Sequence, residues 1–453
     1  MKNIFKTTII ASLAIALGSC DLDLEPVSAI GENAFFNTTE EVEAGVIAMY
    51  DGLQDVVSRE FALTEMRSGN TESRSGEGDW AQFESFEVRP TNVAITNYWT
   101  YNYNVIFRAN TVLKHLDVVS DSSLYNQYEA EARFVRALAY FNLARTYGGV
   151  PLIDQVVIQS DKEFFERKTY DETMEFIVDD LEFAVDNLRS RSEMMEGRAT
   201  SGAAKTLLAK VYLTLDNYAD ALPLLNDVTA DADYALVDNY SDVFYNENNS
   251  EIIFNIQFVN DNTTESQDFS FEMTLVGAIV LNQVTDHFKA AVSGDDTERL
   301  PVLINPLVDT EVGKYISSSS NARQCGNDWI VLRLADALLL KAEAIMAGNA
   351  STTNSDAIDA YNLVRARVGL STLATDGSET LTKDMLLNER RVELAFENHY
   401  IYDLIRFGEA ENVLGAIAAS NGDTFTPTDL IMPIPQREID TSDGLLTQNP
   451  GYL

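Results

Sequence analysis

From Glu40 to Asp55 the apolar positions Val42, Val46, Met49, Tyr50 and Leu53 recur at helical spacing, with Thr39 and Glu40 placed to cap the N-terminus. The same period returns at Tyr98–Leu116, Leu124–Tyr147, Thr169–Arg189, Ser201–Leu215, Tyr218–Val228, Trp329–Ala347, Ser355–Val368, Lys383–Glu397 and Ile401–Phe407. Phe134, Ala137, Leu138 and Phe141 give the i, i+3, i+4, i+7 stripe of a helix with one buried face. The pattern predicts a mainly helical chain. Three stretches depart from it: Leu63–Thr96, Tyr234–Pro306 and the tail after Thr424. The middle one contains Glu251–Phe258, a short β-branched and aromatic run that reads as a strand. Long non-helical insertions in a helical body are where binding sites tend to lie.

Two segments pair helices more specifically. Ala204, Leu208, Ala209, Tyr212 and Leu215 lead through Asp216-Asn217-Tyr218 into Ala221, Leu224 and Leu225, alternating small and large residues so that two antiparallel helices approach closely. This resembles a tetratricopeptide unit. Leu334, Leu338, Ala342 and Ile345 lead through Gly348 into Ile358, Tyr361 and Val364 in the same way. The units are imperfect and far apart in sequence, which argues against a regular solenoid.

The N-terminus reads differently. Lys2 and Lys6 precede an apolar run from Thr8 to Leu17 that is too short to span a bilayer, then Leu17-Gly18-Ser19-Cys20 and the acidic Asp21–Glu25. That order is an export signal, residues 1–19, ending at Cys20. Leu-Gly-Ser before the cysteine resembles a bacterial lipobox, so a covalent lipid on Cys20 is expected, with residues 20–36 as a leader to the fold. The alternative is an ordinary secretory signal with an incidental cysteine. Acidic residues directly after the cysteine resemble the surface-export signal of Bacteroidetes lipoproteins, implying the outer face of the outer membrane.

Composition narrows the chemistry. The balance of 32 basic and 71 acidic residues, a net charge of −39, opposes binding to a nucleic-acid backbone or an anionic membrane by charge. A neutral or cationic ligand is easier to accommodate. With Cys20 lipidated, Cys325 has no partner for a disulfide, and His115, His287 and His399 are scattered without metal-binding spacing. Acidic clusters such as Asp21–Glu25 and Asp295-Asp296 could hold a structural calcium but lack the glycine and terminal glutamate of a calcium loop, and apart from the lipid on Cys20 no cofactor is expected. No nucleophile elbow, Walker loop or dinucleotide fingerprint is present.

Five ordered segments then carry a resemblance across the chain: Glu131–Leu152 (EARFVRALAYFNLARTYGGVPL), Gly197–Leu213 (GRATSGAAKTLLAKVYL), Arg333–Ala344 (RLADALLLKAEA), Glu389–Arg406 (ERRVELAFENHYIYDLIR) and Met432–Tyr452 (MPIPQREIDTSDGLLTQNPGY). With the lipobox they resemble the SusD-like, or RagB-like, nutrient-uptake lipoproteins of Bacteroidetes. Asn398-His399 stand where members usually carry Gly-x-Arg. The resemblance implies a superhelix of four tetratricopeptide-like helix pairs packed against an irregular ligand-binding part with a few short strands. It assigns residues 37–453 to one SusD-like domain, its N-terminal part about 37–230 and its C-terminal part about 250–453. It further implies a non-catalytic receptor that captures oligosaccharides and passes them to a SusC-like TonB-dependent transporter. A peptide-binding RagB-like receptor and a secreted helical glycoside hydrolase are the alternatives.

Sugar recognition asks for aromatic faces flanked by amide, carboxylate and guanidinium groups. Arg67, Asn70, Glu72, Arg74, Asp79, Trp80, Gln82 and Phe83, in the glycine-punctuated segment Glu65–Glu84, supply that mixture and form the candidate site, with Tyr101 and Asn102 within reach. Trp80 follows Gly76-Glu77-Gly78-Asp79 and reads equally as a stacking platform or a core anchor, whereas Trp99 and Trp329 read as core. Asn260, Asp261, Asn262, Phe269 and Phe271 offer a second wall, or a solvated loop at a strand end.

Overall fold

The computed structural model describes Phe35 to Tyr452 apart from Glu77, Gln159 and residues 275–280; residues 1–34, with the export signal and Cys20, lie outside it. Helix α1, Thr39–Val57, starts one residue earlier than its apolar period. Thr38, not Thr39, is the N-cap, and Glu41 completes a reciprocal capping box with it. A short helix α2 (Gly78–Glu84) precedes the long helices α3 (Val93–Lys114), α4 (Ser122–Tyr147), α5 (Tyr170–Asn187), α6 (Ser201–Thr214) and α7 (Tyr218–Ala230). After an irregular stretch come α8 (Leu334–Met346), α9 (Ser355–Arg367), α10 (Lys383–Glu393), α11 (Tyr400–Arg406) and α12 (Ala410–Asn421).

Helices α1 and α3, α4 and α5, α6 and α7, and α8 and α9 form four antiparallel-type pairs, and each pair packs on the next in chain order. This is the tetratricopeptide-like superhelix. The pairs are tied by buried polar bonds as well as by apolar stripes. Glu131 on α4 is wholly buried and accepts hydrogen bonds from Tyr50 on α1 (2.8 Å) and from Arg198, just before α6 (2.7 and 2.8 Å). Arg136, one turn on, grips Asp180 of α5 through two bonds of 2.8 Å. Helix α4 ends where Gly148 takes a positive φ of 76°. At Gly149 a Cβ would stand 2.1 Å from the carbonyl oxygen of Lys168, so the chain can pass there only without a side chain.

Three small two-stranded antiparallel sheets lie in the remainder: β1 (Thr71–Ser73) with β3 (Asn282–Val284), β2 (Ile252–Ile256) with β4 (Trp329–Arg333), and β5 (Ser351–Thr352) with β6 (Leu381–Thr382). β4 corrects the helix expected from Trp329. Its first five residues are extended and pair with β2, and helix begins only at Leu334. Both strands are almost entirely buried, so apolar residues fill both faces and the period is lost. Helix α12 was not anticipated, and Leu63–Thr96, read as non-helical, contains α2 and the start of α3.

The C-terminal motifs meet in a buried charge network. Arg333, at the end of β4, reaches Glu251 (2.8 Å), Glu393 (2.6 Å) and Glu397 (2.7 Å), all fully buried. Lys314 pairs with Glu397 at 2.6 Å, and Arg390 bridges Asp336 and Asp403 at 2.9 Å each. Asn398 sits in the left-handed region at φ 64°, which asparagine tolerates, and its amide donates to Glu60 at 2.9 Å. His399 packs beside Lys210 (3.2 Å), and burial together with that cation keeps its imidazole well below the usual range.

Candidate functional site

Immediately after α1 the chain makes one buried π-type turn, Ala62–Met66, and enters the loop that carries most of the sequence-proposed site. Its first residues are fixed inward. Glu65 accepts from the Asn70 amide (2.8 Å) and from the backbone N–H of Asn398 (2.7 Å), and burial pushes its carboxyl up to about 7. Asn70 is fully buried and accepts from Arg391 at 3.0 Å. Arg67 is buried and donates to the carbonyls of Asp429 and Leu430 in the C-terminal segment. Phe83 and Asn102 are fully buried, Asn102 donating to the Tyr98 carbonyl at 2.8 Å. These four side chains, proposed as ligand contacts, are engaged inside the fold, because the same residue types that contact sugars also tie a loop to a core.

The rest of the loop builds one wall of a cleft of about 1040 Å³. β1 presents Glu72, set opposite Gln283 of β3. On α2, Asp79 accepts from the N–H of Val93 (3.2 Å), Gln82 from the N–H of Arg89 (3.0 Å), and Glu84 from the N–H of Ser73. Thr285, Asp286, His287 and Lys289 face them, and Ser420 and Asn421, the last residues of α12, close the end with Asp423. Burial raises the Glu84 carboxyl to about 7, with Glu72 and Asp423 adding to the effect and the Ser73 N–H opposing it. Burial likewise raises Glu72, reinforced by Asp286. Among the described residues carboxylates thus outnumber cations, and no tryptophan, tyrosine or phenylalanine lines the cleft. The arrangement suits hydroxyl donors and repels anions.

Trp80 does not line the cleft. It is half-buried on the other side of α2, edge-on to Phe61 with ring centroids 5.2 Å apart. Tyr101 lies half-buried close to Asp55 and Arg59, so both aromatic residues rest against the end of α1. Arg74 is exposed beside β1. Trp99 and Trp329 are core residues, 4 % and 2 % exposed. The second wall stands apart from the cleft. Asp261 is bonded to Ser319, Ser320 and Asn321, which hold its carboxyl down to about 2. Asn260 accepts from the Gly326 N–H at 2.7 Å, and Asn262 caps its own turn through the Thr264 N–H at 2.9 Å. Phe269 is buried, and Phe271 lies under the Arg323 guanidinium, 3.9 Å from its ring centre. The cleft residues that sequence reasoning missed, among them Asp286, Lys289 and Asp423, lie 200 residues or more beyond the loop, and only the fold brings them to it.

A helical superhelix capped by a loop-built polar cleft defines a binding-protein class, and comparison with known proteins gives the family. A model of the SusD family matches residues 293–452, and one described as starch-binding associating with outer membrane matches residues 22–213. The chain belongs to the SusD-like family. SusD-like protein P2 of Formosa agariphila is 25 % identical over 507 residues, covering 99 % of each chain. A SusD-like protein of Bacteroides ovatus is 25 % identical over 454 residues, 88 % of this chain and 82 % of that one. Among solved structures, a laminarin binding SusD-like protein superposes with a TM-score of 0.76 at 27 % identity, covering 92 % of this chain and all of that one. Surface glycan-binding protein A from Bacteroides thetaiotaomicron, in complex with laminarihexaose, gives 0.77 at 24 %, covering 91 % and 99 %, and shares the fold. Among the described residues no helix is long and apolar enough to cross a membrane.

Proposed function

We propose that the protein is a non-catalytic cell-surface receptor whose cleft binds a neutral oligosaccharide. The observation that carries this is the lining of the cleft: carboxylates, two amides and hydroxyls converge on about 1040 Å³ with few cations among them. Sugar hydroxyls can donate to every one of these acceptors, whereas a uronic or sulfated polymer would meet like charge. The likeness to a laminarin binding protein supports a neutral β-glucan as the first ligand to try. A lipid on Cys20 would hold the receptor at the outer face of the outer membrane, and a SusC-like TonB-dependent transporter would receive the captured glycan. Confinement to one surface raises the effective concentration of such a pair.

Of the sequence-proposed residues, Glu72 is the cleanest probe, because it faces the cleft and is exposed. The purified protein should be retarded in native gels containing laminarin or another neutral polysaccharide, and Glu72→Ala combined with Asn421→Ala should reduce that retardation at unchanged melting temperature. Equal mobility with and without every polysaccharide tried would refute the reading. Release of reducing ends from a bound glycan would replace a receptor with an enzyme.

A further inference from the structure

A second groove, of about 780 Å³, opens between α3, the segment following Pro151 and the C-terminal residues 438–446. Its lining is disjoint from that of the cleft. The floor is aromatic: half-buried Tyr103 and Phe165 face the groove, and the core residue Trp99 backs Tyr103 with ring centroids 5.0 Å apart. The rim is polar. Lys162 and Asp443 face one another across it as an exposed ion pair at 3.0 Å, and Glu438 stands close enough for its charge to act on the Tyr103 hydroxyl. Glu438 is half-buried, yet among the described residues its carboxylate makes neither a hydrogen bond nor an ion pair.

The volume lies within the range of small-molecule sites, roughly 300–1,000 Å³. The chemistry narrows the ligand. An entirely apolar guest would bury Glu438 without a partner, at a cost of about 1–3 kcal/mol or more for a charged group. An anion would meet both Glu438 and Asp443. A pyranose offers what both parts of the groove ask for, a C–H face for the aromatic floor and edge hydroxyls for the unengaged carboxylate.

We propose that this groove is a second carbohydrate subsite, taking one or a few neutral sugar units of the same polymer. The inference rests on the carbohydrate-binding reading of the cleft and extends it to a receptor with two points of attachment. A polymer that engages both gains from effective concentration, whereas a short oligosaccharide fills them independently.

The test uses the whole soluble chain and the groove variant Phe165→Ala with Glu438→Gln, whose side chains lie at the surface, beside the cleft variant. Affinity gels with laminarin, or with the first neutral polysaccharide that retards the wild type, are combined with calorimetry on the matching hexasaccharide. The expected result is two equivalents of hexasaccharide bound by wild type and one by either variant, with polymer affinity in the groove variant falling about tenfold or more. A single equivalent for wild type, with retardation unchanged in the groove variant, overturns the second subsite and leaves the cleft standing. Loss of all binding in the cleft variant and none in the groove variant has the same meaning. Absence of retardation for wild type in every neutral polysaccharide overturns both readings together.

Discussion

Glu84 shows how one half-buried side chain can be both part of the fold and part of the site. Its carboxylate accepts the Ser73 N–H and so stitches α2 to β1, but burial, with Glu72 and Asp423 nearby, favours the neutral form and pushes its titration up to about 7. The folded state therefore holds a proton that the unfolded chain has released. The stability this contributes is complete below the ordinary glutamate value and is lost as pH rises through about 7. Gln keeps the acceptor and cannot ionise. Glu84→Gln should therefore be closest to wild type in melting temperature near pH 5 and increasingly more stable than wild type towards pH 8, measured as paired thermal melts across that range. A constant offset across the range would refute the assignment. Which residues of this loop face a ligand could not be read from residue type. The glycines before Trp80 left platform and core anchor equally open, and Phe61 meets the indole edge-on; Asn70 and Arg67 are held by Arg391 and by two carbonyls far along the chain. Those partners are more than 300 residues away in sequence, so no local pattern could reveal them.

At the scale of elements, four of the five recognisable segments turn out to be the places where helices are locked together by charge. Glu131 in the first receives Arg198 in the second, and Arg333 in the third receives Glu393 and Glu397 in the fourth. Removing one member of such a buried set leaves opposite charges without water or partner, a penalty of about 3–5 kcal/mol. Arg333→Ala should lower the urea midpoint accordingly, about 3–5 kcal/mol at an unchanged slope. A loss under about 1 kcal/mol would mean that Lys314 on Glu397 and Arg367, which pairs with Glu251 at 3.0 Å and also with Glu393, alone satisfy the carboxylates. The amphipathic helices were legible because each buries one face, and the four pairs followed from their spacing and from the resemblance. β4 was not, because a strand buried on both faces running straight into a helix leaves a mostly apolar run from Trp329 to Leu340, broken only by Arg333 and Asp336, with no change of period at the junction. Helix α12 was missed for the opposite reason: Ala410–Asn421 buries only Ala410, Leu414, Ile417 and Ala418, a stripe with just two large apolar residues that barely stands out from its surroundings.

For the whole molecule, the net charge of −39 sets a field that every approaching polymer must cross before it meets the cleft. The cleft repeats that sign locally with Glu72, Asp286 and Asp423 among its walls, and Lys289 is drawn to Asp286 at 3.1 Å, which spends part of its positive charge. Global and local fields therefore act together, and discrimination against anionic glycans should come from repulsion that salt can screen. At about 0.15 M salt the Debye length is about 8 Å and at about 1 M about 3 Å, so raising salt between these limits removes most of the long-range part. Affinity for a neutral β-glucan should be nearly unchanged over that range, while any weak binding of alginate or a sulfated glucan should strengthen. The measurement is retardation in gels, or titration calorimetry, at both salt concentrations with matched chain lengths. Tight binding of a polyanion at low salt that weakens as salt is added would require a cationic site strong enough to reverse the field of the whole chain, and among the described residues of the cleft only Arg89, Lys289 and His287 are available to make one.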